Sequence, residues 1–354
     1  MGTINNEIKS KIEGKTILIT GGTGSFGNAV TEILFNDCNP KQVVILSRDE
    51  KKQFDMGNKF NSSKLKFITA DVRDKDVVNH AIKGVDFVFH AAALKQVPNC
   101  EFFPIEAVRT NILGGYHVID SAVENEIERI VVLSTDKAVY PINVMGMTKA
   151  LMERIMIALS REKRSRTVLC GTRYGNVMHT RGSVIPFFVD LMKQDKPLKI
   201  TNKNMTRFLM PLRYSVDLVL HALVNGNDGD IYVKKSPAAT VGDLAQAMIE
   251  LFNYGKGIEE IGIRPGEKMH ETLITTEELI RTEDKGEYFR IAPEVPGSNM
   301  DYREYYFKGK DGNNLPKEGY TSTNAERLNV GQIKELLLSI DEIKEEMANY
   351  KKQS

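Results

Sequence analysis

The sequence predicts an α/β protein: a doubly wound parallel sheet followed by a smaller α/β lobe. Two observations carry this. From Lys15 to about Asn176, short β-branched apolar runs alternate with stretches of helical spacing, the pattern of strands buried on both faces and joined by crossover helices. A glycine triplet, Gly21, Gly24 and Gly27, follows the first run and opens the first helix, where such sheets bind ligands.

Taken in order, "KTILIT" (Lys15–Thr20) is the first strand. "GGTGSFGNAVTEILFND" then places Val30, Ile33 and Leu34 on one helical face. Strands follow at Gln42–Ser47, Leu65–Asp71, Val85–Ala92, Arg129–Thr135 and Val168–Asn176, with helices at Asp76–Lys83 and Phe103–Asn125. Beyond Gly182 the rhythm loosens. "GSVIPFFVDLMKQ" reads as an amphipathic helix, "LKITNKNMTRFLMP" as strand and turn, and Thr240–Asn253 as a helix burying Val241, Leu244, Ala245, Met248 and Leu251. Tyr288–Tyr320 is rich in aromatics, Pro and Gly, and a charged helical run closes the chain. The expected division is a nucleotide-binding domain over 15–180, a mainly substrate-binding lobe over 181–287 and a C-terminal segment over 288–354, with some later segments returning to the first domain.

Composition narrows the function. Lys and Arg (48) balance Asp and Glu (47), so no global field favours nucleic acid or a membrane surface. The three cysteines, Cys38, Cys100 and Cys170, are widely spaced and read as small buried hydrophobes. The six histidines do not cluster with acids or cysteines, and no metal is expected; His90, in an apolar strand, reads as core. The polar start "MGTINNEIKSKIEGK" and the lack of any span-length apolar run predict a soluble cytoplasmic protein.

A glycine loop between first strand and first helix lets the backbone approach a pyrophosphate at a helix N-terminus, so a Rossmann domain binding a dinucleotide is expected. Gly21, Thr23, Gly24, Ser25, Phe26 and Gly27 form that loop. The second strand ends in Ser47, Arg48 and Lys51, a hydroxyl and two cations that suit a ribose 2′-phosphate, which favours NADP over NAD. Asp71 and Val72 end the third strand, where a carboxylate can meet the adenine amine. Ala91, Ala92 and Ala93 end the fourth, where small side chains leave room for the cofactor.

The order TGGTGSFG, HAAALKQVP, STDKA, a lysine in an xxxK segment and RYGN resembles the extended short-chain dehydrogenase/reductase superfamily. "CEFFPIEAVRTNI", "RGSVIPFF", "MTRFLM" and "IRPGEK" make the chain similar, from Lys15 onward, to inverting UDP-N-acetylglucosamine 4,6-dehydratases of the capsular-polysaccharide type. Most of the superfamily carries Tyr-x-x-x-Lys; this chain reads Met145-Gly146-Met147-Thr148-Lys149. A thioether transfers no proton, and Tyr140, five residues upstream, does not align with the missing tyrosine. Capsular-type members share the methionine, so the departure marks a subgroup.

The resemblance implies oxidation at C4 on a retained, recycled NADP, loss of water across C5 and C6, and return of the hydride to C6. It assigns Asp136 as the acid for the C6 hydroxyl and Lys137 as the base at C5. Lys137 must then have a depressed pKa, through burial or the cation Lys149. Reprotonation from the opposite face inverts C5. Thr135 or Ser134 would bond the C4 oxygen, and the C4 proton would go to Asp136, Lys137 or a water relayed by Lys149. It further implies cofactor contacts at Lys95, Asn111, Lys149, Tyr174, Asn176 and Val177, and UDP-N-acetylglucosamine contacts at Lys95, Asn176, Thr206, Arg207, Arg264 and Glu267. The aromatic tail Tyr302–Tyr320 would clasp a neighbouring subunit of a homo-oligomer (dimer or hexamer) or pack on its own domain. Two other readings remain: a UDP-sugar C4 epimerase or reductase, and a non-catalytic nucleotide-binding scaffold.

Overall fold

The computed structural model describes residues 4–162, 164–180, 182–294 and 318–353. Nine strands form one sheet: β1 (Thr16–Thr20), β2 (Gln42–Ser47), β3 (Leu65–Thr69), β4 (Phe87–His90), β5 (Arg129–Leu133), β6 (Val168–Arg173), β10 (Ile231–Lys234), β14 (Thr282–Asp284) and β15 (Tyr288–Ile291). Their order is β14-β15-β10-β6-β5-β4-β1-β2-β3. The seven strands from β3 to β10 run parallel, and β15 and β14 are antiparallel at the edge.

The strands alternate between two cores. Leu18, Val44, Leu46, Val88, Ile130 and Val132 face helices Lys75–Ile82, Gly115–Glu124 and Val144–Glu162 through Val78, Ile82, Val118, Ala122 and Met152. Ile17, Ile19, Val43, Ile45, Phe87, Phe89 and Val131 face helices Asn6–Ile12, Ser25–Ile33 and Leu212–Asn225 through Ile12, Val30, Ile33, Val216 and Val219. Each such side chain, once fully buried, stabilises the fold by about 1.5–3 kcal/mol. The apolar runs are continuous because both faces of the sheet are covered.

The smaller lobe has its own core. It joins helices Val184–Lys193, Val241–Phe252, Val330–Leu338 and Asp341–Gln353 through Ile185, Phe188, Leu244, Met248, Ile333, Leu337 and Ile343. Its short strands are β7 (Asn176–Val177), β8 (Leu198–Ile200), β9 (Thr206–Met210), β11 (Ala238–Thr240) and β12 (Ile258–Glu260), with β9 between β7 and β11. A last pair, β13 (Thr272–Ile274) and β16 (Tyr320–Thr321), is antiparallel.

The helical run expected over Phe103–Asn125 is divided by a π-helical stretch, Val108–Gly114. At its end, a Cβ on Gly114 would lie 2.8 Å from Val72 Cγ2. The wider turn carries the side chain of Asn111 onto the loop after β4, and such π-turns recur at functional sites. Residues 302–317 of the expected subunit clasp lie outside the described residues. Tyr320 packs on Phe208 and Phe289 of the same chain.

Candidate active site

The turn after β1 passes between β2 and β4 at the point where strand order reverses, the expected crevice for a ligand. Gly21 has φ +66°, and a Cβ there would lie 2.8 Å from Ala92 Cα. A Cβ on Gly27 would lie 2.0 Å from the Gly22 carbonyl oxygen. The loop is therefore a cradle that only glycine leaves open, which fits a dinucleotide pyrophosphate. Thr20 Oγ1 lies 2.8 Å from His90 Nδ1 and accepts from Ala92 N at 3.3 Å, tying the glycine turn to the Ala91–Ala93 loop. Ser25 opens the helix after Gly24. Phe26, partly buried, meets Phe89 edge-on at 6.5 Å.

Where β2 and β3 end, Thr23 Oγ1 lies 2.8 Å from Ser47 Oγ. Arg48, half-exposed, donates to Asp71 at 3.3 Å. Arg73, unnoticed in the sequence, donates to the same Asp71 oxygen at 2.8 Å. Burial would raise the Asp71 pKa, but bonding to Arg73 outweighs it and holds the carboxyl below its usual range. Lys51 does not join them: it pairs with Asp55 one turn along its own helix, at 3.0 Å. Val72 is buried, and its carbonyl lies 3.2 Å from His117 Nδ1.

The segment after β5 gathers a cluster of charged side chains. Ser134 N donates to the Thr172 carbonyl at 2.7 Å and Asp136 N to the Tyr174 carbonyl at 3.1 Å, so β6 fixes the turn. Thr135 Oγ1 donates to Asp136 Oδ1 at 2.8 Å and caps Lys137 N. Lys137 Nζ donates to the same Oδ1 at 3.0 Å and lies 3.5 Å from Glu271 Oε1. Arg207 Nε approaches that Glu271 oxygen at 3.8 Å. Lys268, held to the Val139 carbonyl, adds a third cation near Asp136 and Glu271.

Lys137 departs from expectation. Burial pulls its pKa down, but the Asp136 and Glu271 carboxylates outweigh burial and hold it above the usual lysine range. Burial depresses Lys149 instead, down to about 8 with Glu153 opposing, and it also lowers Lys95 and Lys268. Lys149 Nζ donates to the Leu133 carbonyl at 2.5 Å and lies 3.5 Å from Met152 Sδ.

Met145 is buried among Cys100, Ala107, Leu94 and Val97 and brings no titratable group to the cluster. Tyr140 does not replace it: half-exposed, with φ +45°, it donates to Glu277 at 2.6 Å. Asn111, expected on the cofactor, is fully buried with its amide committed to Leu94 and Thr148. It positions the loop that leads to Lys95, an exposed residue.

Of the residues expected on the substrate, Thr206 is buried, with its hydroxyl 2.8 Å from His270 Nδ1 and 2.6 Å from Ser322 Oγ. Arg207, on β9, turns to the Lys137–Glu271 cluster. Arg264 is exposed, and Glu267 closes a turn by donating its N–H to the Arg264 carbonyl at 3.2 Å. Tyr174 is partly buried, with burial raising its phenol pKa. Asn176 and Val177 form β7 against β9. Buried polar atoms without a protein partner gather at this crevice: Ser134 Oγ, Asp136 Oδ2, Asn176 Oδ1, Glu267 Oε2 and Glu271 Oε2. Such groups are costly unless a polar ligand or water satisfies them. Lys268 closes the IRPGEK motif but was not singled out there, and Glu271 escaped sequence reading because nothing local marks it; their meeting with Asp136 and Lys137 does.

The comparisons agree with this architecture. The family described as "Polysaccharide biosynthesis protein" matches residues 17–293, and "Polysaccharide biosynthesis protein C-terminal" matches residues 298–344. A UDP-glucose 4-epimerase of Rickettsia bellii is 53% identical over 339 residues, covering 95% of this chain and 98% of that protein. The structure of Pen from Bacillus thuringiensis is 32% identical, covers 93% of this chain and 99% of its own, and superposes with a TM-score of 0.83. DesIV of Streptomyces venezuelae, a dTDP-glucose 4,6-dehydratase solved with NAD and TYD, shares the fold at 20% identity and a TM-score of 0.65, covering 72% of this chain and 86% of its own. The chain belongs to the polysaccharide biosynthesis protein family and has the extended short-chain dehydrogenase/reductase fold of nucleotide-sugar dehydratases and epimerases.

Proposed function

We propose that this protein is an NADP-dependent UDP-N-acetylglucosamine 4,6-dehydratase that inverts C5, making a UDP-4-keto-6-deoxy-L-hexosamine for surface polysaccharide. The observation that carries the reading is the Asp136–Lys137 pair, joined at 3.0 Å, with Asp136 fully buried, its Oδ2 unpartnered, and Lys137 partly exposed. Elimination across C5 and C6 needs one base and one acid facing the sugar. A C4 epimerase acts at one carbon and needs no such pair.

The glycine cradle, Ser47, Arg48 and Lys149 would hold the nicotinamide cofactor, which supplies the transient oxidation at C4 and returns the electrons at C6. The chain's own groups do the rest. In the free site the pair is an ammonium beside a carboxylate. Moving one proton along their hydrogen bond yields a neutral amine and a carboxylic acid together, the base for C5 and the acid for the C6 hydroxyl. In water that shift costs about 9 kcal/mol on ordinary lysine and aspartate pKa values. Burying two ions costs several kcal/mol each, so a sugar that displaces water moves the balance toward the neutral pair. The proton shed by the C4 hydroxyl passes to a water relayed by Lys149, the amine takes the C5 proton, Asp136 protonates the departing hydroxyl, and water returns a proton to C5 from the opposite face. Arg207, Lys268 and Asn176 flank the volume in which negative charge develops or a diphosphate rests.

On this reading residues 15–180 are chiefly the cofactor domain and 181–287 chiefly the substrate lobe, in a cytoplasmic homo-oligomer. Phe102, Phe103 and Ile105, all exposed, support a subunit contact.

The second reading, a UDP-sugar C4 epimerase, is favoured by what the Rickettsia relative is called. Mass spectrometry of UDP-N-acetylglucosamine incubated with the purified protein separates them. A dehydratase makes a product one water lighter; an epimerase leaves the mass unchanged and inverts C4.

A further inference from the structure

We propose that Glu271 is a positioning residue of this site that keeps Lys137 charged until a sugar arrives. The proposal rests on the dehydratase reading for its catalytic consequence, but not for its structural part.

Three observations converge. Glu271 Oε1 lies 3.5 Å from Lys137 Nζ and 3.8 Å from Arg207 Nε. The residue is 2% exposed, and its Oε2 is buried without a protein partner. Its backbone is locked on both sides by one residue: Glu271 N donates to Ser322 Oγ at 2.9 Å, and Ser322 N donates to the Glu271 carbonyl at 2.8 Å. Ser322, fully buried, also meets Thr206. A carboxylate so placed is held for a purpose beyond satisfying one cation.

The charged groups facing Lys137 are Asp136 from its own turn, Glu271 from the approach to β13, Arg207 from β9 and Lys268 from the turn before β13. The two carboxylates favour the ammonium; the two cations oppose it. Asp136 is needed in the reaction itself, so Glu271 is the group free to set the balance. A sugar hydroxyl or amide N–H donated to Oε2 draws on the Glu271 charge, weakens its hold on Lys137 and lets the proton pass to Asp136. No atom beyond that proton moves.

The test needs no substrate. Purified wild-type protein and E271Q are labelled with trace acetic anhydride across a pH series, and acetylation of Lys137 is read by mass spectrometry against the exposed Lys51. An opposite charge at this range shifts a pKa by about 1–3 units. The Lys137 midpoint is therefore expected to fall by about one pH unit or more in E271Q, roughly tenfold greater reactivity at fixed pH, with Lys51 unchanged. E271D, which retracts the charge but keeps it, should fall between them and serves if E271Q does not fold. Equal Lys137 midpoints in folded wild type and variant overturn the proposal. With UDP-N-acetylglucosamine, the acid limb of kcat, rather than KM, moves to lower pH in E271Q; a fall in kcat with an unmoved limb also overturns it. A wild-type protein that never dehydrates the sugar overturns the dehydratase reading, and the labelling result still decides the role of Glu271.

Discussion

Lys149 and His90 occupy neighbouring buried positions, and the Lys149 cation disfavours charge on His90. Burial, reinforced by the Lys149 cation, brings His90 down to about 3. The unfolded chain therefore binds a proton that the folded chain refuses, between the ordinary histidine value of about 6.5 and that folded value. In that window stability falls as pH falls, by about 1.4 kcal/mol per unit. H90N should flatten the dependence of unfolding free energy on pH between about 6.5 and 4, read by urea melts at each pH; an unchanged slope would show that His90 is not the group. At this scale the sequence was legible wherever a residue's role is local. Glycines 21 and 27 and the Asp136–Lys137 turn sit where the motif places them. What the sequence did not reveal is the partners of Lys51 and Thr206: Asp55 on the next turn and Ser322 more than a hundred residues away.

Among elements, the turn Asp136–Ala138 and the helix Val144–Glu162 depend on each other at one point. A Cβ on Gly146 would lie 2.1 Å from the Lys137 carbonyl oxygen, so glycine is what lets the helix close on this turn. Asn143 fastens the junction: its Oδ1 accepts from Gly146 N at 2.8 Å, and its Nδ2 donates to the Gly266 carbonyl at 2.9 Å. G146A is expected to lower kcat by about a hundredfold by displacing Lys137, while a melting curve shows the fold retained. Wild-type kcat in G146A would remove the claim that this approach sets the site. The first six strands were legible because each is a β-branched run bounded by a turn or helix. The seventh parallel strand, "IYVK", was not: it is four residues long, and what makes it a strand is pairing with β6 some sixty residues earlier.

For the whole molecule, strand order does the gathering. The C-terminal ends of β1, β4, β5 and β6 bring the glycine loop, the Ala91–Ala93 loop, the Ser134–Lys137 turn and Tyr174–Asn176 to one edge of the sheet. The smaller lobe then lays Arg207, Lys268 and Glu271 against them. Arg173 braces this arrangement from below, buried between Glu153 at 2.7 Å and Glu278 at 2.7 Å. Breaking such a triad typically costs about 3–5 kcal/mol. We propose that this convergence performs acid–base chemistry at C5 and C6. The most direct measurement is NMR and mass spectrometry of the product formed from UDP-N-acetylglucosamine in deuterated water, by wild type and by K137M. The prediction is a dehydrated sugar carrying solvent deuterium at an inverted C5, with no exchange by K137M. A product of unchanged mass that keeps its C5 hydrogen, or undiminished C5 exchange by K137M, would contradict it.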